Sequence, residues 1–195
     1  LWRNLKKHKL SNIVKPISTE SRAGFIGGAA TKRVEYSHDL FANEALSWIK
    51  KNKDNPFFLY LPLTIPHANN EGTRLFGDGA EVPDYGIYEK EDWPKQDKGQ
   101  AAMITRMDTD IGRILDHLKS LNIAEETLVI FTSDNGPHNE AGHNPGLFNP
   151  SGPLRGMKRT LTEGGIRVPT SAWWPKTIKN GSHCDQPLYF GTCMK

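Results

Sequence analysis

No apolar run in this sequence approaches the roughly 18 residues that a membrane-spanning helix needs, so no helical span is expected. Cysteine is scarce. Cys184 and Cys193 are the only two, nine residues apart, and two thiols make neither a disulfide framework nor a zinc-ligand pattern, although they could pair in an oxidising compartment. An excess of charge of one sign is also missing: 25 Lys and Arg against 22 Asp and Glu leave +3, too little to argue for a nucleic-acid partner. There is no internal repeat, no low-complexity tract and no signal-peptide pattern, and the chain starts at Leu1 rather than Met. A piece of a longer protein is therefore expected.

What is present suits a loop-rich α/β domain. The chain has 195 residues, 36% of them hydrophobic and 24% charged, with 18 Gly and 13 Pro. Residues 1 to about 36 are short apolar pieces among charges, and the cluster Arg3, Lys6, Lys7 and Lys9 reads as a solvated basic face. "SHDLFANEALSWIKKNKDN" predicts a helix capped by Ser37, with Leu40, Phe41, Ala45, Leu46 and Ile49 at helical spacing. "PFFLYLPLTIPH" reads as a strand covered on both faces, with His67 at its end.

Residues 69–98 read as a long irregular loop, unusual enough to suggest a functional role. "GQAAMITRMDTDIGRILDHLKSLN" then carries the strongest periodic signal, with Ile104, Met107, Ile111, Ile114, Leu115, Leu118 and Leu121 on one helical face. Asp108 and Asp110 in "DTDIG" resemble the start of a calcium loop, but no acidic ligands follow at the required spacing, and both are expected on the solvated side. "TLVIFTS" is a second buried strand and "SAWWP" a third candidate, whose Trp173 and Trp174 are expected to pack against the sheet rather than stack on a sugar. Helices alternating with buried strands imply an α/β layer fold.

Ligands of such folds bind beyond the carboxyl ends of the strands. Both His67 and the Asp134-Asn135 pair of "LVIFTSDNGPH" fall there, and Gly136-Pro137 turns the chain before His138. Asp134 and Asn135 offer a carboxylate and an amide oxygen, donors suited to a hard cation; by turn chemistry alone the same residues are an ordinary Asp-Asn-Gly-Pro turn. "GPLRGMKRTLTEGGIRVP" places Arg155, Lys158, Arg159 and Arg167 among glycines. That segment is either a solvated basic loop or a clamp for a tetrahedral oxyanion.

Taken together, "PFFLYLPLTIPHA", "AAMITRMDTDIGRILDHL", "LVIFTSDNGPH" and "PLRGMKRTLTEGGIRVP" resemble the arylsulfatase A-like sulfatases, collinearly over most of residues 37–178. The resemblance implies an alkaline phosphatase-like three-layer α/β/α sandwich with a mostly parallel mixed sheet, here incomplete at both ends, so that 1–195 is part of one catalytic domain. It implies hydrolysis of sulfate monoesters of a glycan or an aryl alcohol, assisted by one divalent cation, usually Ca²⁺. Asp134 and Asn135 look like two of the cation ligands, His67 like the histidine that holds sulfate and protonates the leaving group, and Lys158 like the lysine on a sulfate oxygen. His138 is given a substrate-binding role. A periplasmic, secreted or lysosomal location is the family expectation.

The departures are as informative. Family members attack with a formylglycine, made by a maturation enzyme from Cys or Ser in a C/S-x-P-x-R motif well upstream of the metal loop, and paired aspartates near the domain start complete the cation site. A further lysine and histidine are also expected upstream. None is found here, so the isolated chain is expected to be inactive. "SGPLR", Ser151 to Arg155, fits S-x-P-x-R formally but follows the metal loop and leads straight into the lysine segment; it is rejected as a nucleophile. The alternatives are a phosphodiesterase or phosphonate hydrolase of the same superfamily, and a non-catalytic oxyanion-binding domain.

Overall fold

The computed structural model describes residues 35–187 and Tyr189. The basic cluster Arg3, Lys6, Lys7 and Lys9 lies outside the described residues, as does Cys193; Cys184 is exposed.

Helix α1 runs Ser37–Asn52 and helix α3 Lys95–Ser120. Ser37 is already helical: Tyr36 occupies the N-cap position in extended conformation, and no side chain caps the end. The two helices pack along a polar seam. Arg106 donates from Nε and Nη2 to both oxygens of Asp39 at 2.7 Å, Arg113 bonds Asp110 at 2.6 Å and Asn43 at 2.8 Å, and His117 Nε2 donates to the Leu46 carbonyl at 3.1 Å. Positions 106, 110, 113 and 117 step by four, three and four, so they share one face of α3. Asp110 is therefore not solvated as expected. It is 6% exposed and lies 3.0 Å from Nε2 of the buried His38, whereas Asp108 is exposed.

The apolar residues divide into two clusters. Ile49, Leu118 and Ala124 pack with Trp48, Phe57, Leu59, Ile114, Val129 and Trp173 between the helices and the strands. Ile65, Ala68, Ala80, Met103 and Ala141 form the other. Ile65 and Ala68 flank His67, so this second cluster, with Met103 delivered by α3, is the floor on which the His67 turn rests.

The expected long loop is partly ordered. Helix α2, Asn70–Phe76, starts where the Asn69 side chain accepts from Gly72 N at 3.0 Å and ends at Gly77 in the left-handed region. The expected strand at "PFFLYLPLTIPH" forms no paired strand among the described residues. Its side chains alternate, with Phe57, Leu59, Leu61 and Leu63 half-buried and Phe58 and Tyr60 72% and 65% exposed. One face is covered, not two.

The sheet of the described residues has two strands, β1 Val129–Thr132 and β2 Thr170–Trp173, paired antiparallel with Val129 opposite Trp173 and Thr132 opposite Thr170. Ile130 and Phe131 remain 49% and 36% exposed, so β1 is not the fully covered strand that its apolar run suggested. Between the strands lie the one-turn helices α4, Pro145–Phe148, and α5, Glu163–Ile166. Trp173 packs into the core as expected, and Trp174 Nε1 donates to the Glu125 carbonyl at 2.7 Å. No helix of the described residues is long and apolar enough to cross a membrane.

Candidate functional site

β1 ends at Thr132, and the chain turns through Ser133, Asp134, Asn135 and Gly136. The Lys158 segment folds back against this turn through two backbone bonds, Gly136 N to Gly165 O at 2.9 Å and Lys158 N to Pro137 O at 2.8 Å, and closes on itself through Gly164 N to Arg155 O at 2.9 Å. The crossing is close enough to demand glycine. A Cβ on Gly136 would collide with the Gly164 carbonyl oxygen, and one on Gly164 with that of Gly156. The glycines of "EGGI" and "DNGP" thus set where the lysine stands relative to the acidic turn.

Lys158 Nζ lies 2.9 Å from His67 Nε2. An ammonium offers only donors, so Nε2 is the acceptor and Nδ1 carries the ring proton, which it donates to the Ala68 carbonyl at 2.7 Å. His67 is the accessible member, with its side chain 46% exposed against 15% for Lys158. The structure therefore joins two residues that the sequence placed on different segments.

Glu140 completes the pocket. Its Oε2 lies 3.3 Å from Lys158 Nζ and 3.6 Å from His67 Nε2, and its Oε1 meets the Arg159 guanidinium, with only 8% of the side chain exposed. Burial alone would push its carboxyl up, but Arg159 and Lys158 outweigh it and hold the group below the usual glutamate range. Arg159 adopts a φ of 76°, an uncommon conformation for a residue with a side chain.

His138 differs from expectation. It is 8% exposed; Glu140 N donates to its Nδ1 at 3.0 Å, so Nε2 carries the proton and donates to the Pro66 carbonyl at 3.1 Å. Both nitrogens are thus committed to the backbone, and neither is left for a sulfate oxygen. Burial holds its imidazole below the usual value, the Pro66 bond opposing and the neighbouring His143 reinforcing the shift. His138 is a strut between the acidic turn and the residue before His67. Behind it, His143 Nε2 donates to the His138 carbonyl at 2.8 Å, and the fully buried Asp97 accepts from Asn144 N at 2.7 Å.

Glu140, Asp97 and His143 were not singled out from the sequence. Glu140 sits in "HNEAGH", and the complementary basic pair Lys158-Arg159 was its one signal. Asp97, in the first turn of α3, reads as an ordinary helix-dipole acid.

Asp134 is exposed beyond the strand end, and Asn135 donates its amide nitrogen to Gly136 O at 2.9 Å, which leaves the side-chain oxygen for a cation. These are hard donors of the kind Ca²⁺ takes. They are two of the roughly six to eight required, and no group of three or more His, Cys, Asp or Glu forms a metal cluster among the described residues. Ser151, in the rejected S-x-P-x-R match, donates its hydroxyl to the Gly156 carbonyl at 2.9 Å, a turn-forming bond.

A family model described as Sulfatase matches residues 4–189. The chain is 35% identical over 144 residues to N-acetylgalactosamine-6-sulfatase of Canis lupus familiaris, covering 73% of this chain and 24% of that protein. It is likewise 35% identical over 148 residues to steryl-sulfatase of Homo sapiens, covering 74% of this chain and 22% of that protein. A solved structure of Ps i-CgsB in complex with k-i-k-neocarrahexaose superposes with a TM-score of 0.60 at 32% identity, covering 76% of this chain and 30% of that one. The chain thus spans about a quarter of the length of the curated relatives it matches.

Proposed function

Since this chain belongs to the sulfatase family, we propose that it supplies the sulfate-binding side of an active site that hydrolyses sulfate monoesters. The observation that carries the proposal is the 2.9 Å approach of Lys158 Nζ to His67 Nε2 beside the Asp134-Asn135 turn. Sulfate-ester cleavage crowds anionic oxygens around sulfur and builds charge on the leaving oxygen. A fixed ammonium answers the first problem and a proton-donating imidazole the second.

In this reading a non-bridging sulfate oxygen takes the Lys158 ammonium away from His67, and the freed Nε2 takes up a proton from solvent, faces the bridging oxygen and delivers that proton to it as the ester bond breaks. Asp134 and Asn135 would hold a divalent cation, Ca²⁺ by family expectation, together with ligands from outside the described residues. Such an ion supplies electrostatic stabilisation to the sulfate oxygens. The nucleophile, a formylglycine in the family pattern, is assigned to a segment beyond these residues and depends on a maturation enzyme.

The complete domain is proposed to be the three-layer alkaline phosphatase-like sandwich, in which further strands cover the open faces of β1 and of residues 56–64. A sulfated glycan is the favoured substrate class, supported by the likeness to N-acetylgalactosamine-6-sulfatase and by the k-i-k-neocarrahexaose with which the superposed protein is in complex. A secreted, periplasmic or lysosomal location is proposed with it. The test is inorganic sulfate release by the full-length protein: chelation of divalent cations should stop it and Ca²⁺ restore it. Sulfate release indifferent to chelation would remove the Asp134-Asn135 cation from the account.

A further inference from the structure

Glu140 has no part in the chemistry above, yet its carboxylate faces the two cations Lys158 and Arg159 and stands close to His67. Its Oε2 lies 3.3 Å from Lys158 and 3.6 Å from His67, and its Oε1 meets Arg159. The placement is built from both sides. Glu140 N is tied to His138 Nδ1, and the next residue, Ala141, is 4% exposed in the floor cluster. Opposite, Arg159 reaches the carboxylate from a left-handed backbone, a conformation that persists only where the surroundings impose it. The Lys158 ammonium that must meet a sulfate oxygen is thus already engaged, by an imidazole nitrogen and by a carboxylate that solvent scarcely reaches.

We propose that Glu140 is a positioning residue acting as a tethered counter-anion: it holds Lys158 and Arg159 at the pocket while no oxyanion is bound, and competes with sulfate for Lys158 when one is. The inference rests on the sulfate-ester reading of the same pocket. Competition has two consequences of opposite sign. It weakens binding of sulfate, substrate or product alike, because the incoming anion must displace a carboxylate. It also keeps the lysine aligned and helps expel the inorganic sulfate product, so it favours turnover.

The test titrates inorganic sulfate calorimetrically into the full-length protein and its Glu140→Gln and Glu140→Asp variants, alongside steady-state kinetics on an aryl sulfate. Glu140→Gln should bind sulfate about 3- to 10-fold more tightly, the scale of one partly screened charge contact. Its KM should fall and its kcat fall too. Glu140→Asp keeps the charge and should remain near the wild-type sulfate affinity. A Glu140 that merely supported the fold would, on substitution, weaken binding and turnover together. Equal or weaker sulfate binding by Glu140→Gln at unchanged melting temperature overturns the proposal, as does tightening in Glu140→Asp or failure of both wild type and Glu140→Gln to bind sulfate. Should the Gln variant not fold, Glu140→Ala provides the same loss of charge. Sulfate binding by a wild-type protein that cleaves no sulfate ester contradicts the proposed reaction; the ratio of sulfate affinities separately decides the role of Glu140.

Discussion

Lys158 Nζ and His67 Nε2 stand 2.9 Å apart although 91 residues separate them in the chain. The contact is made by two independent supports. His67 is held by its own neighbours in the apolar floor, Ile65 and Ala68, and Lys158 by the backbone crossing of its loop with the Gly136-Pro137 turn. A charge and a proton carrier are thereby fixed at one point, with a carboxylate behind them.

The two residues should separate kinetically in the full-length protein. Lys158, a fixed charge on the sulfate, should matter equally for every leaving group. His67, the proton donor, should matter most where the leaving oxygen is poor. His67→Ala is expected to lose about 10²–10⁴-fold on a sugar sulfate, the usual range for general acid catalysis, and distinctly less on an activated aryl sulfate. Lys158→Ala should lose similar factors on both. Equal losses for His67→Ala would make His67 a sulfate binder and leave the acid to be found elsewhere.

Two glycine substitutions should differ in sign. Gly136→Ala drives a methyl group into the Gly164 carbonyl and should cost about 1–3 kcal/mol or more in stability, as overpacking does, with loss of activity as the Lys158 loop shifts. Gly112→Ala, in the middle of α3 with open space around the added carbon, should stabilise by about 0.5–1 kcal/mol. Urea midpoints of the two variants check this, and equal effects would contradict the close crossing.

Stability should fall as the solution is acidified. Burial holds His38 below its usual 6.5, with Asp110 and Asp39 opposing and Arg106 reinforcing the shift. A histidine depressed in the folded state takes up its proton more readily when unfolded, so protonation favours unfolding. Its contribution is complete above about pH 6.5 and lost as pH falls below that value. Denaturant midpoints at about pH 7.5 and 5.5 should show the decline in the wild type, and a smaller one in His38→Gln. The same slope in both would show that His38 is not the group responsible.

Part of the candidate site is legible in the sequence: His67, Asp134 and Asn135 stand where apolar runs stop, whereas Lys158 is one of four basic residues among glycines and only the family resemblance singles it out. Glu140 is not legible, since a single acid in a loop has no periodicity, and its meaning comes from Arg159 and Lys158 arriving from a distant segment. His138 was assigned to substrate by adjacency alone; burial and two backbone bonds set its role instead. The two long helices show in their spacing, although Ser37 lies inside α1 rather than capping it and α2 forms where a loop is expected; Asp110 is expected in solvent because a charge on a helix says nothing of the partner helix that presents His38 to it. The apolar runs at residues 56–64 and 128–132 suggested strands covered on both faces, a pattern that reports what a segment can bury rather than what packs on it among the described residues.

The central claim is that the His67–Lys158 pocket cleaves sulfate monoesters. Its most direct test compares hydrolysis of nitrophenyl sulfate with that of a nitrophenyl phosphodiester and phosphonate by the full-length protein in the presence of Ca²⁺, wild type against Lys158→Ala. The account predicts that the sulfate is the preferred substrate and that Lys158→Ala lowers its turnover by about 10²–10³-fold, the scale of one lost oxyanion contact. Preference for the phosphodiester or phosphonate, or sulfate release that survives Lys158→Ala undiminished, would contradict it.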